Sequence, residues 1–124
     1  MQTPAKLAMR WFEGATNNCT FKIFEDRART IPADITGVRW IFEAREGTVD
    51  DNFPSVVRKD SAVDGQATVE ELNGTFTFNV SPADSAALPR RLFYNVLGIW
   101  PDDGPTLCYF EGQITVSQAI VKVS

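Results

Sequence analysis

Apolar and polar residues alternate along most of this chain, and the period is two. Leu7, Met9 and Trp11 alternate with Ala8, Arg10 and Phe12; Cys19, Phe21 and Ile23 alternate with Thr20, Lys22 and Phe24. Val38, Trp40, Phe42 and Ala44 form the next apolar row, with Arg39, Glu43 and Arg45 opposite. A strand sends successive side chains to opposite faces, so each run reads as a half-buried strand. Residues 67–72 make a short strand, and Asn73-Gly74 follows it directly, the signature of a tight two-residue hairpin. On the return strand Phe76, Phe78 and Val80 alternate with Thr75, Thr77 and Asn79. Leu92, Tyr94 and Val96 open a long strand that runs to Trp100, and the last run spans residues 106–124, broken by Gly112.

The connections carry turn chemistry. Residues 25–37 are polar and hold Pro32 and Gly37; residues 46–64 are the most polar stretch. Within the latter only Phe53-Pro54-Ser55-Val56-Val57 resembles a strand, and Pro54 confines it to a sheet edge. Ser81-Pro82-Ala83-Asp84 opens a helical turn, with Ser as N-cap, Pro at the first helical position and an acid in the first turn; Pro89 ends it. Pro101-Asp102-Asp103-Gly104-Pro105 is a tight turn. Strands at this spacing, with a single short helical turn, predict an all-β protein. The fold expected is an immunoglobulin-like antiparallel β-sandwich of about seven strands, one domain over residues 1–124. Trp40, Phe42, Phe76, Phe78, Tyr94 and Val96 are its expected inter-sheet core.

The C-terminal run changes parity. Cys108, Phe110, Ile114 and Val116 are even, whereas Ala119, Val121 and Val123 are odd, with Lys122 opposite. A row of period two cannot switch parity without flipping faces, so a bulge or break is expected near residues 117–119. Two outcomes fit: a bulged final strand that stays on its own domain, or a segment 119–124 that leaves it as an assembly tail.

Composition narrows the chemistry. There is no His, which removes the commonest general base and metal ligand. Two cysteines, Cys19 and Cys108, cannot build a thiolate zinc site. Cys19 shares a face with Phe21 and Ile23 and reads as a buried, inert thiol; both cysteines are expected to stay reduced. The adjacent pairs Asp50-Asp51 and Asp102-Asp103 sit in turn contexts and lack the offsets of a calcium loop. No glycine-rich phosphate loop is present. The net charge of −4, with Arg90-Arg91 as the one adjacent basic pair, argues against nucleic acid. No apolar run reaches transmembrane length, and residues 1–4 lack a signal-peptide core, so folding in a cytosol away from membranes is expected. No catalytic residue, cofactor or metal is expected. Of the tryptophans, Trp40 and Trp11 read as core. Trp100, beside a turn, is either rim packing or a contact residue.

The order of these features resembles the immunoglobulin-like domains of tailed-bacteriophage structural proteins, such as the N-terminal domain of baseplate upper proteins. An early strand ends in a Gly-containing turn, Phe12-Glu13-Gly14-Ala15-Thr16. Ala33-Asp34-Ile35-Thr36-Gly37 stands where the family has an Asp-Leu-Thr-Gly-like element before the central strand. A helical turn with small residues, residues 81–88, follows the hairpin; then come Phe93-Tyr94-Asn95-Val96 and Gly112-Gln113-Ile114-Thr115-Val116. The likeness covers roughly residues 7–118. The usual Gly-Asp of the first turn is here Gly14-Ala15, and Leu92 stands where a corner tyrosine is common. The resemblance implies a non-enzymatic virion component of tail, baseplate or head, assembled in the host cytoplasm. Its implied partners are other virion proteins and copies of itself. The candidate contact residues are Trp100, Ala119, Ile120, Val121 and Val123. The alternatives are a carbohydrate- or ligand-binding sandwich using Trp100 and the Asp102-Asp103 turn, and a small inhibitor or chaperone-like partner of a host protein.

Overall fold

The computed structural model describes residues 4–26, 28–47 and 53–118. Among these residues nine strands run in chain order: β1 (Ala5–Lys6), β2 (Met9–Phe12), β3 (Cys19–Lys22), β4 (Arg39–Arg45), β5 (Val57–Asp60), β6 (Ala67–Glu70), β7 (Thr75–Phe78), β8 (Arg91–Ile99) and β9 (Thr106–Ser117). They form two sheets. The larger has the order β1-β9-β8-β4-β5, with β2 also on β9; the smaller is β3-β7-β6. This is the strand order of an immunoglobulin-like sandwich, with the first strand, split in two, lying along the last. The expectation of a purely antiparallel fold is refined at that edge, because β1 and β2 run parallel to β9. The first and last strands point the same way, so they pair parallel once they become neighbours.

Alternation sends the predicted aromatic rows inward. Trp40, Phe42, Phe76, Phe78, Tyr94 and Val96 are all buried, joined by Trp11, Phe21, Leu92 and Ile114. The rings link the sheets: Trp40 stacks on Phe76 at 4.1 Å, and Phe21 meets Phe110 at 4.8 Å. Each such pair adds about 0.5–1.5 kcal/mol beyond the area it buries. Gly98, opposite Trp40, leaves room for this ring; a Cβ there would lie 2.7 Å from the indole and 3.0 Å from Tyr109.

The first strand breaks at Leu7-Ala8 for a reason that lies 87 residues away in sequence. The Tyr94 hydroxyl is carried inward by β8 and donates to the Leu7 carbonyl at 2.8 Å. That carbonyl passes over Gly112, where a Cβ would meet it at 2.0 Å. A buried phenol needs a partner, and the Leu7 carbonyl reaches it only because residue 112 has no side chain. Burial pushes the Tyr94 phenol up to about 12.

Three local expectations are corrected. The Asn73-Gly74 hairpin is not a two-residue turn: β6 stops at Glu70, residues 71–73 form one turn of 3-10 helix, and Gly74 at φ 60° closes a four-residue loop. The strand predicted around Phe53-Val57 begins only at Val57, after Pro54, and is the edge strand β5. Finally, Cys108 and Phe110 do not share a face. Leu97 pairs with Cys108 and Val96 with Phe110, so Tyr109 is an extra, bulged residue. The bulge switches parity early in β9, which lets Tyr109 and Phe110 both turn inward and leaves Cys108 half-exposed. β9 ends at Ser117, and the break expected near residues 117–119 runs into residues beyond 118, which lie outside those described.

Candidate functional site

Two places concentrate polar or accessible groups: a charge ladder on the outer face of the large sheet, and a cleft on its open side. The ladder is built by pairing β4 with β5, which sets Ile41 against Asp60 and Glu43 against Arg58. Asp60 is fully buried. Its carboxylate accepts from Arg39 Nε at 2.9 Å, from Arg39 Nη2, and from the Ala62 backbone N–H at 2.9 Å; Arg58 Nη1 lies 3.6 Å away. The Arg39 guanidinium holds this carboxyl well down, at about 2, against the opposing effect of burial. Glu43 accepts from Arg45, from Arg58 Nε at 3.1 Å and from Ser55 Oγ at 3.1 Å. Each acid is thus matched by cations and fixed in place. Such a network holds β5 to the sheet, and it presents no free carboxylate as acid or base.

Two further acidic segments have conformational explanations. Pro101-Asp102-Asp103-Gly104 is a tight turn with both aspartates at φ 59° and the Gly104 N–H donating to the Pro101 carbonyl at 3.1 Å. Positive φ at both central positions is the mark of a type I′ turn, and Asp tolerates the left-handed region better than most residues. The Asp pair is therefore explained by backbone conformation. Asp84 closes a reciprocal cap with Ser81, whose N–H and hydroxyl it accepts at 2.8 and 2.9 Å, and it also receives Lys59 Nζ at 2.8 Å. Asp50 and Asp51 lie outside the described residues. Among the described residues, no three His, Cys, Asp or Glu side chains converge as metal ligands, and no helix is long and apolar enough to cross a membrane. Cys19 is buried and its thiol is pushed up to about 11; Cys108, half-buried on β9, is also raised by burial.

Trp100 is half-buried at the end of β8. Its indole N–H donates to the Tyr109 hydroxyl at 2.8 Å, which commits its polar end to the domain itself. Ala119, Ile120, Val121 and Val123, the other candidate contacts, lie outside the described residues.

The cleft was not anticipated. Among the described residues it lies between β1 and β3, edge strands of the two sheets, has a volume of about 490 Å³, and has Leu7, Phe21, Tyr109 and Phe110 among its apolar lining. Lys22, Asp26 and Arg29 stand at its polar rim. Asp26 shapes that rim by accepting the Thr30 and Ile31 N–H groups at 3.0 Å each and the Thr30 hydroxyl. The cleft depends on the Tyr109 bulge and on the Leu7 break, features of two segments at opposite ends of the chain. The one local signal for it was the parity of Tyr109, an odd aromatic beside the even row.

No protein-family model matches the chain, and no curated protein is detectably similar to it.

Proposed function

We propose that this protein is a non-enzymatic structural component of a tailed-phage particle, in its tail, baseplate or head, that works through contacts with other virion proteins and with copies of itself. The observation that carries the reading is the combination of an immunoglobulin-like strand order with free strand edges beside an apolar cleft. Such a module joins neighbours by presenting edges and side chains to them. The ordered likeness of residues 7–118 to the phage domains supplies the setting, and assembly in the host cytoplasm goes with it. Arg39, Glu43, Arg45, Arg58 and Asp60 on β4 and β5 are matched to one another, which suits a scaffold better than a site of turnover. The carbohydrate-binding alternative is weakened by Trp100, whose N–H is already engaged by Tyr109. The test is to raise an antibody to the protein and probe purified particles. Stoichiometric recovery with the particle supports the reading. Recovery only in the soluble fraction of infected cells, with none in particles, overturns it.

A further inference from the structure

The edge of β3 beside the cleft has the backbone chemistry of a strand acceptor. Asn17 donates to the Val80 carbonyl and Ile23 to the Gly74 carbonyl, in phase with the pairs Cys19–Phe78 and Phe21–Phe76. Past β3 the same phase continues around the bridge between Phe24 and Pro32. There the Ala33 N–H donates to the Ile23 carbonyl and the Glu25 N–H to the Ile31 carbonyl, at 3.0 and 2.8 Å. The odd residues from 17 to 25 thus direct their backbone groups to one side. An antiparallel ladder alternates, so the N–H and C=O groups of Thr20, Lys22 and Phe24 point to the other side, where β3 is the last strand of its sheet. These three residues line the cleft, with Phe21, Tyr109 and Phe110 in its apolar floor. A row of backbone donors and acceptors selects an extended chain as occupant, and the floor selects apolar side chains at every second position of it.

Charge selects the remaining positions. Lys22 has the parity of Thr20, whose hydroxyl meets the Thr77 hydroxyl at 2.8 Å on the exposed face of the sheet. The Lys22 ammonium lies 5.3 Å from the centroid of the Phe24 ring. Arg29 follows in the turn closed by its N–H on the Asp26 carbonyl at 3.2 Å. Among the described residues neither cation is in an ion pair. Asp26, the one acid lining the cleft, has one carboxylate oxygen on the Thr30 and Ile31 N–H groups and the other on the Thr30 hydroxyl. In an added strand, the residue directly opposite Lys22 points its side chain to the same face. An opposite charge is favoured there and a like charge disfavoured. The edge therefore selects an acid on the outward parity, at the Lys22 end. Residues 119–124 of this chain, Ala-Ile-Val-Lys-Val-Ser, carry a lysine and no acid, the opposite charge pattern.

We propose that the cleft is the docking site for an extended segment of a different protein, added as a strand to the open edge of β3. Its apolar side chains point toward Phe21, Tyr109 and Phe110, and aspartate or glutamate occupies the alternate positions beside Lys22 and Arg29. The proposal rests on the assembly reading above and names the chemistry of the partner contact. The test uses the full chain and fluorescein-labelled peptides in fluorescence anisotropy. The antiparallel probe is Val-Asp-Val-Asp-Val-Thr-Val, and the parallel probe is its reverse, Val-Thr-Val-Asp-Val-Asp-Val; each places its acids at the Lys22 end. One of the two is expected to bind with a Kd of about 100 μM or lower, and its counterpart with Lys for Asp at least about tenfold more weakly. Methylating the backbone nitrogens of the binding probe at alternate residues removes donors along one of its edges. One methylated set is expected to lose binding and the other to keep it, as a ladder requires. In the variant Lys22→Glu/Arg29→Glu the preference is expected to invert, the lysine peptide binding better than the acidic one; that gain also shows the variant to be folded. The proposal is overturned if neither acidic probe binds below about 1 mM, if the preference survives charge reversal, or if the two methylated sets bind alike. A labelled Ala-Ile-Val-Lys-Val-Ser peptide that binds more tightly than both acidic probes assigns the edge to residues 119–124 of this chain or of a second copy, and overturns it equally. Each of these results leaves the assembly reading to be judged by recovery of the protein with the particle.

Discussion

Replacing Asp60 by Asn isolates one buried charge. The side chain is 1% exposed, and its two oxygens take four polar neighbours: Arg39 twice, the Ala62 N–H, and Arg58 at 3.6 Å. Asn keeps the shape and one acceptor oxygen. Its amide nitrogen, however, then faces an Arg39 donor, so a charge-assisted bond becomes a donor–donor contact. The carboxyl titrates at about 2 rather than at the ordinary 3.8, a difference worth about 2.5 kcal/mol. Removing one partner of a fully buried pair costs about 3–5 kcal/mol, but Arg39 is 48% exposed and can turn to water. The expected loss at neutral pH is therefore about 2–3 kcal/mol. The folded carboxyl titrates below the unfolded one, so its stabilisation is complete above the unfolded value and fades as pH falls through about 2. Urea unfolding of wild type and Asp60→Asn between about pH 7 and pH 2 should show the gap between them closing on acidification. A gap below about 0.5 kcal/mol at neutral pH, or one that stays constant into acid, would refute the assignment of Asp60 as the charge that fixes β5.

Trp40→Ala removes the ring that stacks on Phe76 and should cost about 3–5 kcal/mol in denaturant unfolding; a loss under about 1 kcal/mol would contradict its place in the core. Gly112→Ala forces the Leu7 carbonyl aside and should cost about 1–3 kcal/mol, while Tyr94→Phe should cost about 1 kcal/mol. Because both act on the Leu7 carbonyl, the double variant should lose less than the two single losses combined, and strict additivity would show them uncoupled. Under native conditions Cys108 should react with iodoacetamide well before Cys19, whose thiol is pushed to about 11; equal labelling rates by mass spectrometry would count against the burial of Cys19.

The core was legible in the sequence because period-two alternation is a local code. Trp40 and Phe42, or Phe76 and Phe78, declare their face through their immediate neighbours, and a sandwich has only one place to put two such rows. Turn chemistry was legible in kind and less so in detail. Asn73-Gly74 marked a hairpin correctly, yet Glu71 and Leu72 were drawn into the loop. The Ile35 N–H donates to the Glu71 carbonyl and the Gly37 N–H to the Glu71 carboxylate, at 2.9 and 2.7 Å, so a contact from the preceding connection sets where the strand stops. The parity argument applied to β9 concerned residues 117–119, which run beyond those described, and it missed an earlier switch. It sought a switch after Val116 and passed over the bulge at Tyr109, because Cys108, Phe110, Ile114 and Val116 form an unbroken even series whether or not one residue is looped out between them.

The cleft and the Asp60 network were hidden for a different reason. Each exists only where distant segments meet. The buried carboxylate needs Arg39, 21 residues earlier, to be brought opposite by strand pairing. The cleft needs β1 to lie along β9, β3 to form the free edge of the other sheet, and Gly112 to admit the Leu7 carbonyl. None of these is a motif, since no spacing of residue types encodes a free edge. A free edge is defined by what fails to pair after every other strand has found its neighbour. Among the described residues, the open edge of β3 beside the cleft is the feature most accessible to another molecule. It is also the feature that reading along the chain is least able to find.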